Sequence, residues 1–438
     1  MRLSRRFART GQTNELTLER ARLERAGRPV TDLTDSNPTH FGLGSQAVSD
    51  AVARAAAAAR VYQPDPKGPP VAREALAARF GGSPDHYWLT ASTSEAYSWL
   101  FAVLADPGEQ VAAPAPGYPL IDPLARLADL RVREVRWHYL EPDGWCLDPM
   151  TVKRSAELGV KAFVLINPGN PTGAYVDPAT RDLFVEACRT ARAALISDEV
   201  FGPFHLEGRP TTLAGCDQVV TFTLGGLSKL LCAPGLKLGW IRLSGPNDQV
   251  KAVGEALDQV ADTFLSVNSP VALALPELLE LSGPVVERTR RRLEANLTAL
   301  RQVLGQEPFR VRRCDGGWSG IVDLPREPAD PALGADPTVW LVRQAGLAVH
   351  PGWFYDIADH PALVLSLLPE TDDFQDRCHR LRAALETLLA PGRLGRPSPA
   401  PGVKDPGQPS RRGSDKAVPK PRSGLARRSN GPRSRRRP

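Results

Sequence analysis

Lys229 stands in the run Thr-Leu-Gly-Gly-Leu-Ser-Lys, residues 223–229, and Lys237 follows in Pro-Gly-Leu-Lys-Leu-Gly-Trp, 234–240. An amine placed after an apolar run and a small-residue turn can condense with an aldehyde, while a neighbouring hydroxyl and a second cation meet a phosphate on the same molecule. Up to residue 392 the chain has only six lysines (67, 153, 161, 229, 237 and 251), so Lys229 does not belong to a lysine-rich surface. Upstream lie Asn-Pro-Gly-Asn-Pro-Thr-Gly, 167–173, and Ser-Asp-Glu-Val-Phe, 197–201. Two Asn-Pro steps and a glycine define a specific turn. Asp198 follows the apolar run Ala194–Ser197, which places it at a strand's carboxyl end, where open α/β sheets hold their ligands.

These groups need elements to carry them. From about 46 to 285, short apolar runs (Tyr87–Thr90, Gln110–Ala113, Ala162–Ile166, Ala194–Ser197, Val219–Thr223, Gly239–Leu243) alternate with helical patterns such as Ser94–Leu104 and Pro178–Arg192. Such alternation predicts a mostly parallel sheet covered by helices. Residues 1–45 read as an arm, with a helix over Asn14–Ala26 and an extended stretch after it. A long helix over Val285–Leu304 leads into a smaller α+β unit, 286–392, with strands at Phe309–Arg313, Ser319–Asp323 and Leu363–Leu368 and a closing helix at Phe374–Leu389.

Charge is divided unevenly. From Arg393 to the end there are fourteen Lys or Arg against Asp405 and Asp415, a net +12, which leaves −6 for residues 1–392 of the chain's +6. The tail 393–438 is rich in Pro, Gly, Ser and Arg and poor in large apolar residues, a composition that predicts disorder and at most non-specific contact with polyanions such as nucleic acid. No apolar run reaches the roughly 18 residues of a membrane-spanning helix, and the basic start Met-Arg-Leu-Ser-Arg-Arg leads into polar sequence rather than a secretory leader. Six cysteines (146, 188, 216, 232, 314, 378) show neither metal-ligand nor disulfide-framework spacing. A reducing, cytoplasmic setting is expected, with no metal site.

Taken in order, the three segments around Asn170, Asp198 and Lys229 resemble the pyridoxal-phosphate-dependent aminotransferases of fold type I, class I/II, over roughly residues 30–390. That resemblance implies a large domain at 46–285, with a mostly parallel sheet of the seven-stranded type between helices, and a smaller C-terminal domain. It implies pyridoxal 5'-phosphate as cofactor, with Lys229 forming the Schiff base and moving protons, and with Asp198 pairing with the ring nitrogen. Asn170 is implied to hydrogen-bond the cofactor's phenolic oxygen, and Tyr118 to stack on its ring. Ser92, Thr93 and Ser94, at a predicted helix N-terminus, are implied to hold the phosphate together with Ser228 and Lys237. Tyr62 matches a tyrosine that reaches the neighbouring subunit's phosphate, so a homodimer with shared sites is expected.

Four positions depart from the family's pattern, among them Gly226, where many relatives place a hydroxyl that would meet the phosphate. Phe201 stands where a tyrosine commonly serves the phenolic oxygen, with the hydroxyl of Tyr175 as a candidate substitute. Lys237 replaces an arginine, and thus offers a point charge instead of a bidentate fork. In Leu-Val-Leu-Ser-Leu-Leu-Pro, 363–369, Val364 stands where relatives place the arginine that clamps the substrate α-carboxylate. Asn37 and His40, in Asp-Ser-Asn-Pro-Thr-His, are alternative partners for substrate. The leading reading is transfer of an amino group between an amino acid and a 2-oxo acid. The alternatives are β-elimination or decarboxylation on the same cofactor, an amine substrate without α-carboxylate, and a scaffold without activity.

Overall fold

In the computed structural model the apolar runs become strands buried on both faces: Ala162–Ile166, Ala194–Asp198 and Thr221–Gly226 are buried at every position. The structure describes residue 4, residue 6, 13–325 and 336–389; the expected basic tail lies outside these residues. Eight strands form one sheet in the order Tyr87–Thr90, Gly239–Ser244, Thr221–Gly226, Ala194–Asp198, Ala162–Ile166, Gln110–Ala115, Arg131–Leu140, Gly144–Leu147. Five central strands, from Thr221–Gly226 to Arg131–Leu140, are mutually parallel. Gly239–Ser244 runs antiparallel to both of its neighbours. The sheet therefore has one strand more than the expected seven, because Gly144–Leu147 folds back along Arg131–Leu140 as a hairpin.

Helices flank the sheet, and several carry their start signal in the sequence. Asp177 caps Pro178–Ala191 by accepting from the Thr180 amide at 2.7 Å, with Pro178 in the first turn. The last helix, Thr371–Leu389, buries Phe374, Cys378, Leu381, Leu385 and Leu388, a 3–4 spacing that lines one face. Each large apolar side chain so buried contributes roughly 1.5–3 kcal/mol.

A second sheet of four antiparallel strands comprises Arg310–Val311, Ser319–Asp323, Ala362–Ser366 and His350–Pro351. The expected strand Phe309–Arg313 contracts to Arg310–Val311, since the Arg312 guanidinium turns inward to Asp323 at 2.7 Å. The N-terminal segment is more than an arm. Thr31–Asp32 pairs in parallel with Leu347–Ala348, and the Leu33 carbonyl accepts from the Ser366 amide at 2.8 Å. That stitching brings Thr34 and Ser36 beside the C-terminal strands. The described residues belong to one compact unit. The expected boundary at 285/286 falls within the helix Ser282–Leu304, and buried residues on both sides of it, such as Leu275 and Leu297, share one core.

Candidate active site

Three parallel strands end in register, Ile166 opposite Asp198 and Asp198 opposite Leu224. Their continuations deliver Asn170, Asp198 and Lys229 to one edge of the sheet. There a cavity of about 170 Å³ is lined by Thr34, Ser36, Thr93, Tyr118, Ile166, Asn170, Asp198, Val200, Phe201, Lys229, Trp318, Ser319, His350, Tyr355, Val364, Leu365 and Ser366. It opens where open α/β sheets bind ligands, at the carboxyl ends of the strands.

Asn170 is held by the turn that precedes it. The Asn167 side chain, fully buried, donates to the Thr211 carbonyl at 2.9 Å and accepts from the Val176 amide at 3.0 Å. Gly169 and Gly173 close the loop with a 2.8 Å hydrogen bond. Gly173 has φ +73°, and a Cβ there would meet the Gly316 carbonyl at 2.7 Å, so glycine is required on both counts.

Asp198 is 5% exposed, and its carboxylate accepts from the Tyr97 hydroxyl and from the Val200 amide, each at 3.2 Å. Burial raises its pKa from 3.8 to about 6, against the lowering effect of those two donors. Burial likewise raises the Tyr97 hydroxyl well above its ordinary value, with the Asp198 charge adding to it. The opposite happens at Lys229. Its ammonium nitrogen lies 4.8 Å from the centroid of the Trp318 ring and 5.3 Å from that of Phe201. Desolvation lowers its pKa, only partly offset by Cys232 and Asp198, so the neutral, nucleophilic amine is favoured.

Of the residues singled out in the sequence, Thr93, Tyr118, Asn170, Asp198 and Lys229 come together around this cavity. Ser92, Ser94, Ser228, Lys237, Tyr62, Asn37 and His40 lie outside its wall. Ser92 caps the helix Thr93–Leu104, accepting from the Glu95 amide at 3.2 Å. Lys237 is exposed and has a left-handed backbone conformation. Tyr62 is 71% exposed. Asn37 caps a short 3-10 turn, and its amide lies 3.1 Å from His40 Nε2, while His40 Nδ1 lies 2.6 Å from Asp35. Their neighbours Thr34 and Ser36 reach the cavity instead. The Tyr175 hydroxyl is spent on the Gly202 carbonyl at 3.0 Å, so it does not stand in for the hydroxyl missing at Phe201.

Sequence reasoning missed Trp318, His350 and Tyr355. Trp318 packs edge-on against Phe201 at 5.4 Å and Phe204 at 5.2 Å, and so closes the wall over Lys229. The dipeptide Gly316-Gly317 directly before it was the available signal.

A family model, aminotransferase class I and II, matches residues 28–361. The chain belongs to that family. Pyridoxal phosphate is the family's cofactor. Nicotianamine aminotransferase 1 of Oryza sativa subsp. japonica is 30% identical over 59% of this chain and 54% of its own length. Glutamate-pyruvate aminotransferase AlaA of Haemophilus influenzae is 29% identical over 60% of this chain and 66% of its own. The chain thus spans between about half and two thirds of the length of the curated relatives it matches. Among solved structures, the alanine aminotransferase of Pyrococcus furiosus superposes with a TM-score of 0.78 at 23% identity, covering 88% of this chain and 100% of that one, a likeness of fold. A Thermus thermophilus aspartate aminotransferase double mutant gives 0.75 at 25% identity over the same shares.

The donor set suits the family's cofactor. A buried carboxylate with no ion-pair partner among the described residues is matched to a protonated ring nitrogen, and a desolvated amine to an aldehyde. Asn170 suits a phenolic oxygen, an aromatic face at Tyr118 suits the ring, and the N-terminus of Thr93–Leu104 suits an anion.

Proposed function

We propose that this protein is a pyridoxal-phosphate-dependent aminotransferase that moves an amino group between an amino acid and a 2-oxo acid. One observation carries the reading: Lys229, with a depressed amine pKa, and Asp198, with a raised carboxyl pKa, face one cavity. When bound, the cofactor supplies an aldehyde and a cationic ring that withdraws electrons from the bond being broken.

The chain's own residues do the rest. Asp198 would pair with the protonated ring nitrogen, and the Tyr97 hydroxyl, by donating to that carboxylate, orients it. Asn170 would hold the phenolic oxygen, Tyr118 the ring, and Thr93 with its helix N-terminus the phosphate. The Lys229 amine, favoured in its neutral form by desolvation, would serve as the base that takes the proton from the substrate α-carbon. Trp318 and Phe201 keep water from its nitrogen. The family relation and the named aminotransferase relatives support transfer over elimination or decarboxylation.

Two further parts belong to this reading. A homodimer is supported by Val61 and Tyr62, adjacent and 70% and 71% exposed, an apolar pair suited to burial against a second copy. A cytoplasmic location is supported by six cysteines that are all free; no helix among the described residues is long and apolar enough to cross a membrane. Single-turnover incubation of the loaded protein with a panel of amino acids tests the activity. Release of one equivalent of 2-oxo acid without ammonia supports it; ammonia means elimination, carbon dioxide means decarboxylation, and no product refutes all three.

A further inference from the structure

Val364 leaves the cavity wall without the guanidinium expected there, and the strand beside it offers a replacement. Val364 is 2% exposed and pairs directly with His350 across antiparallel strands. Side chains on directly opposed residues share a sheet face, and both of these line the cavity. Apart from Lys229, His350 is, among the described residues, the one lining residue able to carry positive charge.

We propose that His350 anchors the carboxylate of the substrate, in the place of a cation at position 364. This rests on the aminotransferase reading and deepens it.

The imidazole is built to act as a directed donor. Its Nδ1 lies 3.0 Å from the Tyr355 hydroxyl, and its ring stacks on Phe354 at 5.0 Å between centroids. With Nδ1 accepting from that phenol, the proton resides on Nε2, which has no hydrogen-bond partner among the described residues. Ser366, on the same strand as Val364, and Ser319, directly opposite it on the neighbouring strand, add hydroxyls to the same wall. Burial, Arg20 and Asp32 act on the imidazole together: burial and Arg20 lower its pKa, and Asp32 opposes them. Arg20 and Asp32 are themselves paired at 2.7 Å. Lys229, Asp198, Tyr118 and Tyr355 are the other titratable groups of the cavity. An arriving carboxylate favours imidazolium, so binding takes up a proton.

The test is binding, not turnover. Acetate, propionate, succinate and 3-phenylpropanoate are titrated calorimetrically into the cofactor-loaded protein, each beside its neutral amide, with His350→Leu and the donor-retaining His350→Gln. Wild type should prefer carboxylate to amide, and His350→Leu should lose at least tenfold in carboxylate affinity with amide affinity unchanged. From neutral to alkaline pH the affinity of wild type should fall, approaching tenfold per pH unit, while His350→Gln stays flat. Lys229, Asp198 and both tyrosines are present in each variant, so the difference isolates His350. Equal carboxylate affinity in wild type and His350→Gln at every pH overturns the proposal, and so does a wild type that binds carboxylate no better than amide. If binding depends on His350 but amino acids yield no 2-oxo acid, the aminotransferase reading fails alone. If 2-oxo acid forms and His350 is indifferent, this proposal fails alone.

Discussion

Replacing Asp198 by asparagine in the cofactor-free protein should stabilise the fold at neutral pH and leave it unchanged in acid. The carboxyl has its pKa raised from 3.8 to about 6 by burial. In acid below the ordinary value both folded and unfolded chains hold the proton, and the group costs nothing. Between 3.8 and about 6 the unfolded chain has ionised while the folded chain still holds its proton, so stability falls as the pH rises across that window and the loss is complete above it. A shift of about two units corresponds to roughly 3 kcal/mol at 1.36 kcal/mol per unit. Asparagine avoids that cost and keeps the local hydrogen bonds. Its remaining oxygen accepts from the Val200 amide, and the Tyr97 hydroxyl rotates to accept from the new amide group. For a unit of this size the unfolding entropy is on the order of 0.8 kcal/mol/K, which makes the gain roughly 3–4 °C. Scanning calorimetry from about pH 4 to pH 8 should show the two melting curves separating as the pH rises. Saturating pyridoxal phosphate should reverse the order, because a ring cation then neutralises the wild-type carboxylate. A constant offset across the pH range, or a variant that melts lower at pH 8, would refute the argument.

Lys229→Ala should abolish turnover and, after borohydride reduction, lose the cofactor mass that wild type retains on the peptide containing residue 229; mass spectrometry of the digest reads this directly. Phe201→Tyr should tighten cofactor retention by about 2–10-fold, the yield of one net hydrogen bond, since Phe201 lines the cavity and the Tyr175 hydroxyl is engaged at Gly202; equilibrium dialysis checks it. Gly225→Ala should destabilise by about 1–3 kcal/mol in urea unfolding, because a Cβ there would meet the Trp240 indole at 2.4 Å.

The strands that were legible in sequence are those buried on both faces. Tyr87–Thr90, Ala162–Ile166 and Ser319–Asp323 fold at the expected bounds, because continuous apolar runs leave little freedom of register. Arg131–Leu140 escaped for the converse reason. It lies near the sheet's edge, and its exposed positions carry Arg131, Arg136 and His138 among half-buried neighbours, so neither period stands out. Its partner Gly144–Leu147 is too short to read without it.

The site divides along a similar line. Asn170 and Lys229 follow a strand within a few residues and Asp198 ends one, so local motif and position in the fold are the same information. Trp318, His350 and Tyr355 reach the cavity only after the four-stranded sheet has formed, and no local pattern marks them. Their contribution is nevertheless what makes the motif residues reactive. A lysine amine and a carboxylate in water would titrate near their ordinary values and would be, respectively, poorly nucleophilic and indifferent to a ring nitrogen. Enclosed together, they are displaced toward neutrality by the same cause, loss of solvent, since the aromatic wall offers the ammonium only ring faces and the strand end offers the carboxylate only two long hydrogen bonds. Burial of these two groups costs the fold stability, and a ligand that brings a cation to Asp198 and a carbonyl to Lys229 relieves both costs. Binding energy and reactivity then have one source, which is why the residues that exclude water from Lys229 matter as much as Lys229 itself.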